Sequence, residues 1–292
     1  MTERLEPTAP APHGVPAHDG PGPAGPEDGP RRPDRRRALG LLAAGAGLVA
    51  LAACGSSGDG EAATSTTAAA GDGAASTSSA GGEATSGTIP DETAGPYPAD
   101  GTDRLDLLAE DGVVRRDIRR SFGGASGVAE GVPLTIELTL LDVAAGGTPL
   151  AGAAVHLWHC DRDGWYSMYS EPVVAENYLR GVQASANDGT LTFVTTFPGA
   201  YDDRWPHIHF AVYESVEAAT GGGRKLKTSQ LALPEDACAD VYATDGYERS
   251  ATNIARSSLD GDFVFSDGYA SQLPTTSGSI DDALTMRLNV GV

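Results

Sequence analysis

A stretch from Gly55 to about Gly87, built almost wholly of Gly, Ala, Ser and Thr with a few acids, limits what this chain can fold into. Such a segment carries too little apolar surface to offset the entropy of ordering it, so residues 55–87 are expected to be a disordered tether. Of 292 residues, positions 88–292 are left to fold, roughly two hundred and enough for one domain with a sizeable core. No internal repeat is apparent.

The folded part reads as mostly β. Leu134-Thr135-Ile136-Glu137-Leu138-Thr139-Leu140 alternates apolar and polar residues, as a strand with one buried face should. Ala154–Cys160, Gly189–Thr196 and Ile208–Tyr213 give three more strands, divided by turns such as Gly146-Gly147-Thr148-Pro149. Many short strands with turn signals predict an all-β chain with a β-sandwich core and long loops.

Ahead of the tether, an arginine cluster (Arg31-Arg32, Arg35-Arg36-Arg37) precedes an apolar run from Ala38 to Ala53 that ends in Leu51-Ala52-Ala53-Cys54. A charged start followed by an apolar run of this length is the pattern of a secretory signal, and it is short for a membrane span. Arg36-Arg37-Ala38-Leu39 resembles a twin-arginine export signal, and Leu51-Ala52-Ala53-Cys54 a bacterial lipoprotein cleavage site. Residues 1–54 are therefore read as an export signal, giving an exported protein, either a cell-surface lipoprotein or secreted. A lipid on Cys54 is the one membrane contact expected; an ordinary signal anchor with an incidental cysteine is the alternative.

The formal charge is −20, from 20 Lys/Arg and 40 Asp/Glu, and six of each precede Cys54, so the exported part carries all of it. Nucleic acid is not an expected partner, because a phosphate-binding surface needs a basic footprint. Besides Cys54 the chain has Cys160 and Cys238. Outside the cytoplasm they can close a loop of about 78 residues, which chain entropy values at about 4.5 kcal/mol. Cys160 in a core strand fits a buried free thiol equally well.

Four metal-capable side chains lie close together: Tyr166 in Gly164-Trp165-Tyr166-Ser167, Tyr201 after Pro198-Gly199, and His207 and His209 in His207-Ile208-His209. Phenolate is a hard, anionic oxygen donor that selects a hard, highly charged metal, with Fe(III) the leading candidate and Cu or Zn the alternatives. If Trp205–Tyr213 is extended, His207 and His209 face one side and Ile208 the other, so both imidazoles can reach one ion. Two polar residues facing solvent fit the same spacing. Upstream, the strand ending at Cys160 feeds a loop bearing Tyr166 and Tyr169. His156 and His159, three apart on a strand, face opposite ways and are read as structural.

Several segments together resemble the intradiol ring-cleaving dioxygenases, non-haem ferric enzymes that include the catechol 1,2- and protocatechuate 3,4-dioxygenases. The resemblance is carried by Pro149-Leu150-Ala151-Gly152 running on to Leu157-Trp158-His159-Cys160-Asp161, by Gly164-Trp165-Tyr166-Ser167 and by Tyr178-Leu179-Arg180-Gly181-Val182-Gln183. It continues through Phe197-Pro198-Gly199-Ala200-Tyr201 and Arg204-Trp205-Pro206-His207-Ile208-His209, with Glu92-Thr93-Ala94-Gly95-Pro96-Tyr97-Pro98 resembling the start of the catalytic domain. The resemblance implies a β-sandwich in which Tyr166, Tyr201, His207 and His209 bind Fe(III), with Tyr201 and His207 axial and Tyr201 leaving as the substrate binds. It further implies Arg204 beside the substrate, Gln230 near the oxygen pocket and Tyr97 lining the substrate site. The implied reaction opens a catechol-type ring with O2 between its two hydroxyl-bearing carbons, giving a muconate-type diacid. A non-catalytic β-sandwich module that binds aromatics or a surface partner is the alternative. The tether occupies the place of the helical dimerisation region of the catechol 1,2-dioxygenases, so a dimer of that type is not expected.

Overall fold

The computed structural model describes residues 87–292. The expected export signal at 1–54 and, apart from Gly87, the expected tether at 55–87 lie outside the described residues. The described part is a β-sandwich, as the strand pattern predicts. One sheet holds β1 (Pro133–Asp142), β2 (Thr148–Pro149), β5 (Thr190–Thr196), β8 (Thr275–Ser279) and β9 (Ala283–Gly291). In it β1 is central: β5 and β2 pair antiparallel along one edge, β9 pairs parallel along the other, and β8 closes the far side. The second sheet runs β4 (Arg180–Ala184), β3 (Ala154–Trp158), β6 (His207–Tyr213) and β7 (Lys225–Ala232), all antiparallel.

The alternation in β1 puts Leu134, Ile136, Leu138 and Leu140 into the space between the sheets, where they meet Leu284, Met286, Leu288 and Val290 of β9. Fully burying each such side chain is worth about 1.5–3 kcal/mol. The second sheet differs because β3 and β6 are buried at every residue. Val155, Leu157, Ile208, Phe210 and Val212 point into the sandwich. Their alternates Ala154, Trp158, Ala211 and Tyr213 belong to a separate cluster on the sheet's outer side. A sheet with both faces dry needs a second cover, and the chain before β1 supplies it. That segment is tied to β9 by Ile89 N–H to Gly291 O (2.9 Å) and to β7 by Glu92 N–H to Thr228 O (2.8 Å). It then lays Ala99, Leu107, Leu108 and Val113 over the outer face, with an ion pair from Lys225 to Asp100 at its margin.

Among the described residues three short α-helices occupy the loops: α1 (Val216–Thr220), α2 (Glu235–Tyr242) and α3 (Glu248–Ile254). Cys160 and Cys238 are both free and buried, so the disulfide that the sequence permits is not formed. The reason is placement, since Cys160 lies in the outer cluster and Cys238, on α2, in the sandwich core. Burial raises both thiols well above the ordinary range.

Candidate metal centre

The outer face of the second sheet carries the site, and register explains why. Arg180, Trp158, His209 and Gln230 are successive cross-strand partners over β4, β3, β6 and β7, and so form one row on one face. His207 stands two residues from His209 on the same side, as the period of a strand requires. Its Nδ1 lies 2.5 Å from the Trp205 carbonyl, which can only accept. The proton is therefore on Nδ1 and the Nε2 lone pair is free. His209 is held differently. Its ring stacks on Trp158 at 5.1 Å and 3°, and its buried Nδ1 meets no partner among the described residues.

The two tyrosines come from loops that pack on each other. After β3, the Asp161 carboxylate caps a turn by accepting from Asp163 N (3.0 Å), Trp165 N (2.9 Å) and Tyr178 Oη (3.3 Å). Gly164, at φ +83°, lets that turn touch the Tyr201 loop, since a Cβ there would stand 2.9 Å from Ala200 O. The Tyr201 loop is in turn fixed by α3, through Ala200 N–H to Ser250 Oγ (2.9 Å) and Asn253 Nδ2 to Ala200 O (2.8 Å).

Four donor atoms converge as a result. Tyr166 Oη lies 3.3 Å from Tyr201 Oη, Tyr201 Oη 3.1 Å from His207 Nε2, and His207 Nε2 3.1 Å from His209 Nε2. Nitrogen and oxygen ligands each about 2.0–2.2 Å from one ion stand roughly 3 Å from one another, so these spacings suit a shared metal. Burial, with Arg204 assisting, depresses His207 to about 3, and it depresses His209 well below the usual imidazole value. Both rings are thus neutral and ready to ligate. Burial raises both phenols, so a highly charged cation is what would make them phenolates. The donor set therefore fits ferric iron.

Around these four atoms the structure brings together the other residues singled out in the sequence. Arg204 donates from Nε to Asp262 Oδ2 (2.8 Å) and from Nη2 to Gln230 Oε1 (2.7 Å), with Nη1 3.4 Å from His207 Nε2. Gln230 Nε2 donates to Thr93 O (2.9 Å), which joins β7 to the covering segment. Tyr97 lies beside the centre, its ring 4.8 Å from that of Tyr166 and 5.0 Å from that of Tyr169. His156 and His159 stay apart from it. His156 stacks on Trp158, and His159 bonds Thr195 Oγ1 (2.7 Å) on β5.

Asp262 and Gly95 were not legible as site residues. Asp262 is 58 residues from Arg204 in sequence, and nothing local marks it. Gly95 sits inside a recognised motif but its role is spatial. At φ +67°, its Cβ would lie 3.2 Å from His209 Cε1. We expect Gly95→Ala to cost about 1–2 kcal/mol through the left-handed backbone and to weaken metal retention by tilting His209. Urea denaturation and metal titration check this, and wild-type metal affinity in the variant would contradict it.

Comparison with known proteins finds similarity to dioxygenases. Residues 113–237 match the model of the family described as Dioxygenase, and this span includes Tyr166, Tyr201, Arg204, His207, His209 and Gln230. Chlorocatechol 1,2-dioxygenase of Rhodococcus opacus is 38% identical over 56 residues, 19% of this chain and 22% of that protein. The chain thus spans about a fifth of the length of this curated relative. An intradiol ring-cleavage dioxygenase from Tetranychus urticae superposes with a TM-score of 0.56 at 24% identity, covering 70% of this chain and 94% of the other. A second dioxygenase crystal structure gives 0.55 at 23%, covering 70% and 93%. Residues 113–237 thus match the Dioxygenase family model, and the sandwich has the fold of the intradiol ring-cleavage dioxygenase from Tetranychus urticae.

Proposed function

We propose that this protein is a non-haem Fe(III) intradiol dioxygenase that opens a catechol-type ring with O2 to give a muconate-type diacid. The observation that carries the reading is the convergence of Tyr166 Oη, Tyr201 Oη, His207 Nε2 and His209 Nε2 at spacings of 3.1–3.3 Å. These four residues would hold the iron, which when bound would act as a Lewis acid that makes the catechol ring reactive towards O2. The remaining work falls to the chain. Tyr201 is the more exposed of the two tyrosines, and its Oη is placed to accept a proton from an incoming catechol hydroxyl. Arg204 brings a fixed positive charge to negative charge developing on the ring, and Asp262 and Gln230 fix the direction of its fork. Tyr97 borders the substrate. Oxygen uptake by the iron-loaded protein with catechol, hydroxyquinol and protocatechuate tests the reading. Uptake with at least one, and a ring-opened diacid product, is expected; iron-loaded protein inert towards all of them would refute it.

We also propose that the protein is exported and lipid-anchored at Cys54, from the twin-arginine-like and lipoprotein-like motifs in residues 1–54. Such a location favours plant-derived aromatics in the environment as substrates. Cys54→Ser is expected to move the protein from the membrane fraction to the soluble fraction on cell fractionation. A wild-type protein already soluble would contradict the anchor.

A further inference from the structure

Arg180 is 0% exposed, yet its guanidinium forms no ion pair with a carboxylate among the described residues. A lone cation so placed is strongly unfavourable unless something offsets it. All three of its hydrogen bonds end on neutral oxygens: Nε to Ser167 Oγ (3.1 Å), Nη2 to Ser167 O (3.0 Å) and Nη1 to Tyr97 O (2.6 Å). The guanidinium also faces two phenol rings, 5.9 Å from the centroid of Tyr166 and 5.1 Å from that of Tyr169. Asp103 is reached only through Tyr169 Oη (2.5 Å), and it is exposed.

These contacts join two parts of the chain that are distant in sequence. Ser167 follows a candidate ligand, and Tyr97 lies on the segment that covers the centre and carries Gly95 against His209. The rigid fork of an arginine bonds both from three separate nitrogens in fixed directions, whereas a lysine offers one rotatable ammonium at a single point. We propose that Arg180 is a positioning residue of the centre, tying the Tyr97 segment to the Tyr166-Ser167 turn and setting a buried positive charge against the Tyr166 ring. The charge role rests on the iron reading above; the tying role does not.

The test compares Arg180→Gln and Arg180→Lys with wild type in two measurements on the full-length protein. In metal-free protein, hydrogen exchange within 93–99 and 166–170 should rise about 10-fold in both variants, with β6 unchanged. In ferric-loaded protein, the phenolate-to-metal absorption band should move to longer wavelength in Arg180→Gln and return towards the wild-type position in Arg180→Lys, which keeps the charge. Wild-type exchange in both segments would overturn the tying role, and one band position in all three proteins would overturn the charge role. Should Arg180→Gln fail to fold, Ser167→Ala, which removes the Nε contact together with the bond from Ser167 Oγ to Tyr178 O (2.7 Å) but leaves the Nη1 and Nη2 contacts, should raise exchange less but in the same segments; no rise there overturns the proposal. Failure of wild type to take up ferric iron counts against the iron reading, and the exchange result then decides this one.

Discussion

His207→Ala is expected to lower ferric-iron affinity by more than about 100-fold, because partners one step removed from a metal already cost 10–100-fold when lost. Among the four donors His207 is the most central. Its Nε2 lies 3.1 Å from both Tyr201 Oη and His209 Nε2, and 3.4 Å from Arg204 Nη1. It is also the imidazole whose tautomer the fold fixes, through Nδ1 and the Trp205 carbonyl. Iron per protein after dialysis against a chelator measures the effect, with circular dichroism to confirm that the sandwich is intact. Full iron retention by a folded variant would remove His207 from the ligand set.

Asp262→Ala should destabilise the fold by about 3 kcal/mol, as breaking a buried ion pair from one side typically does. The Asp262 side chain is 0% exposed and that of Arg204 11%. One carboxylate accepts from Arg204 Nε (2.8 Å), Trp205 N (2.7 Å) and Val264 N (2.9 Å), so its loss strands two backbone donors and a guanidinium together. Activity should fall too, since Arg204 would lose its carboxylate partner and, among the described residues, keep only the Gln230 bond, the long His207 contact and the Phe263 ring; oxygen-uptake kinetics measure that loss and urea denaturation the stability. Burial works to raise the Asp262 carboxyl, but the Arg204 bond and the two backbone N–H groups outweigh it and hold the carboxyl below its ordinary value. A carboxylate depressed in the folded state stabilises above its unfolded value of about 3.9 and stops doing so as pH falls through the depressed one. The variant should therefore lose stability less steeply than wild type on acidification below about pH 4. Parallel acid limbs would show that Asp262 is not held in this way.

What the sequence disclosed and what it concealed follow from the range of the interactions involved. The alternation from Leu134 to Leu140 announces β1 because one face meets the core and the other does not. His207 and His209 are legible for the same reason, since period two alone puts them on one side. β7 is poorly marked: Lys225-Leu226-Lys227-Thr228-Ser229-Gln230 reads as polar because Gln230 and Thr228 are turned to the site and its cover rather than to an apolar core. The helices α2 and α3, of 8 and 7 residues, are too short for a helical period to stand out, yet α3 fixes the Tyr201 loop through Ser250 and Asn253. Arg180 and Asp262 depend on partners 83 and 58 residues away, distances over which local pattern is silent. The burial of Cys160 is foreseeable from its strand; that Cys238 lies in a different cluster is not.

The visible absorption spectrum of the purified full-length protein, ferric-loaded and under air, with and without a panel of catechols, bears most directly on the site. A broad phenolate-to-Fe(III) band that shifts when a catechol is added is the expected result, because Tyr166 and Tyr201 would both ligate and the substrate would reach the metal beside them. A protein that stays colourless after ferric loading would contradict the ligand set and leave a non-catalytic β-sandwich binding module as the better description.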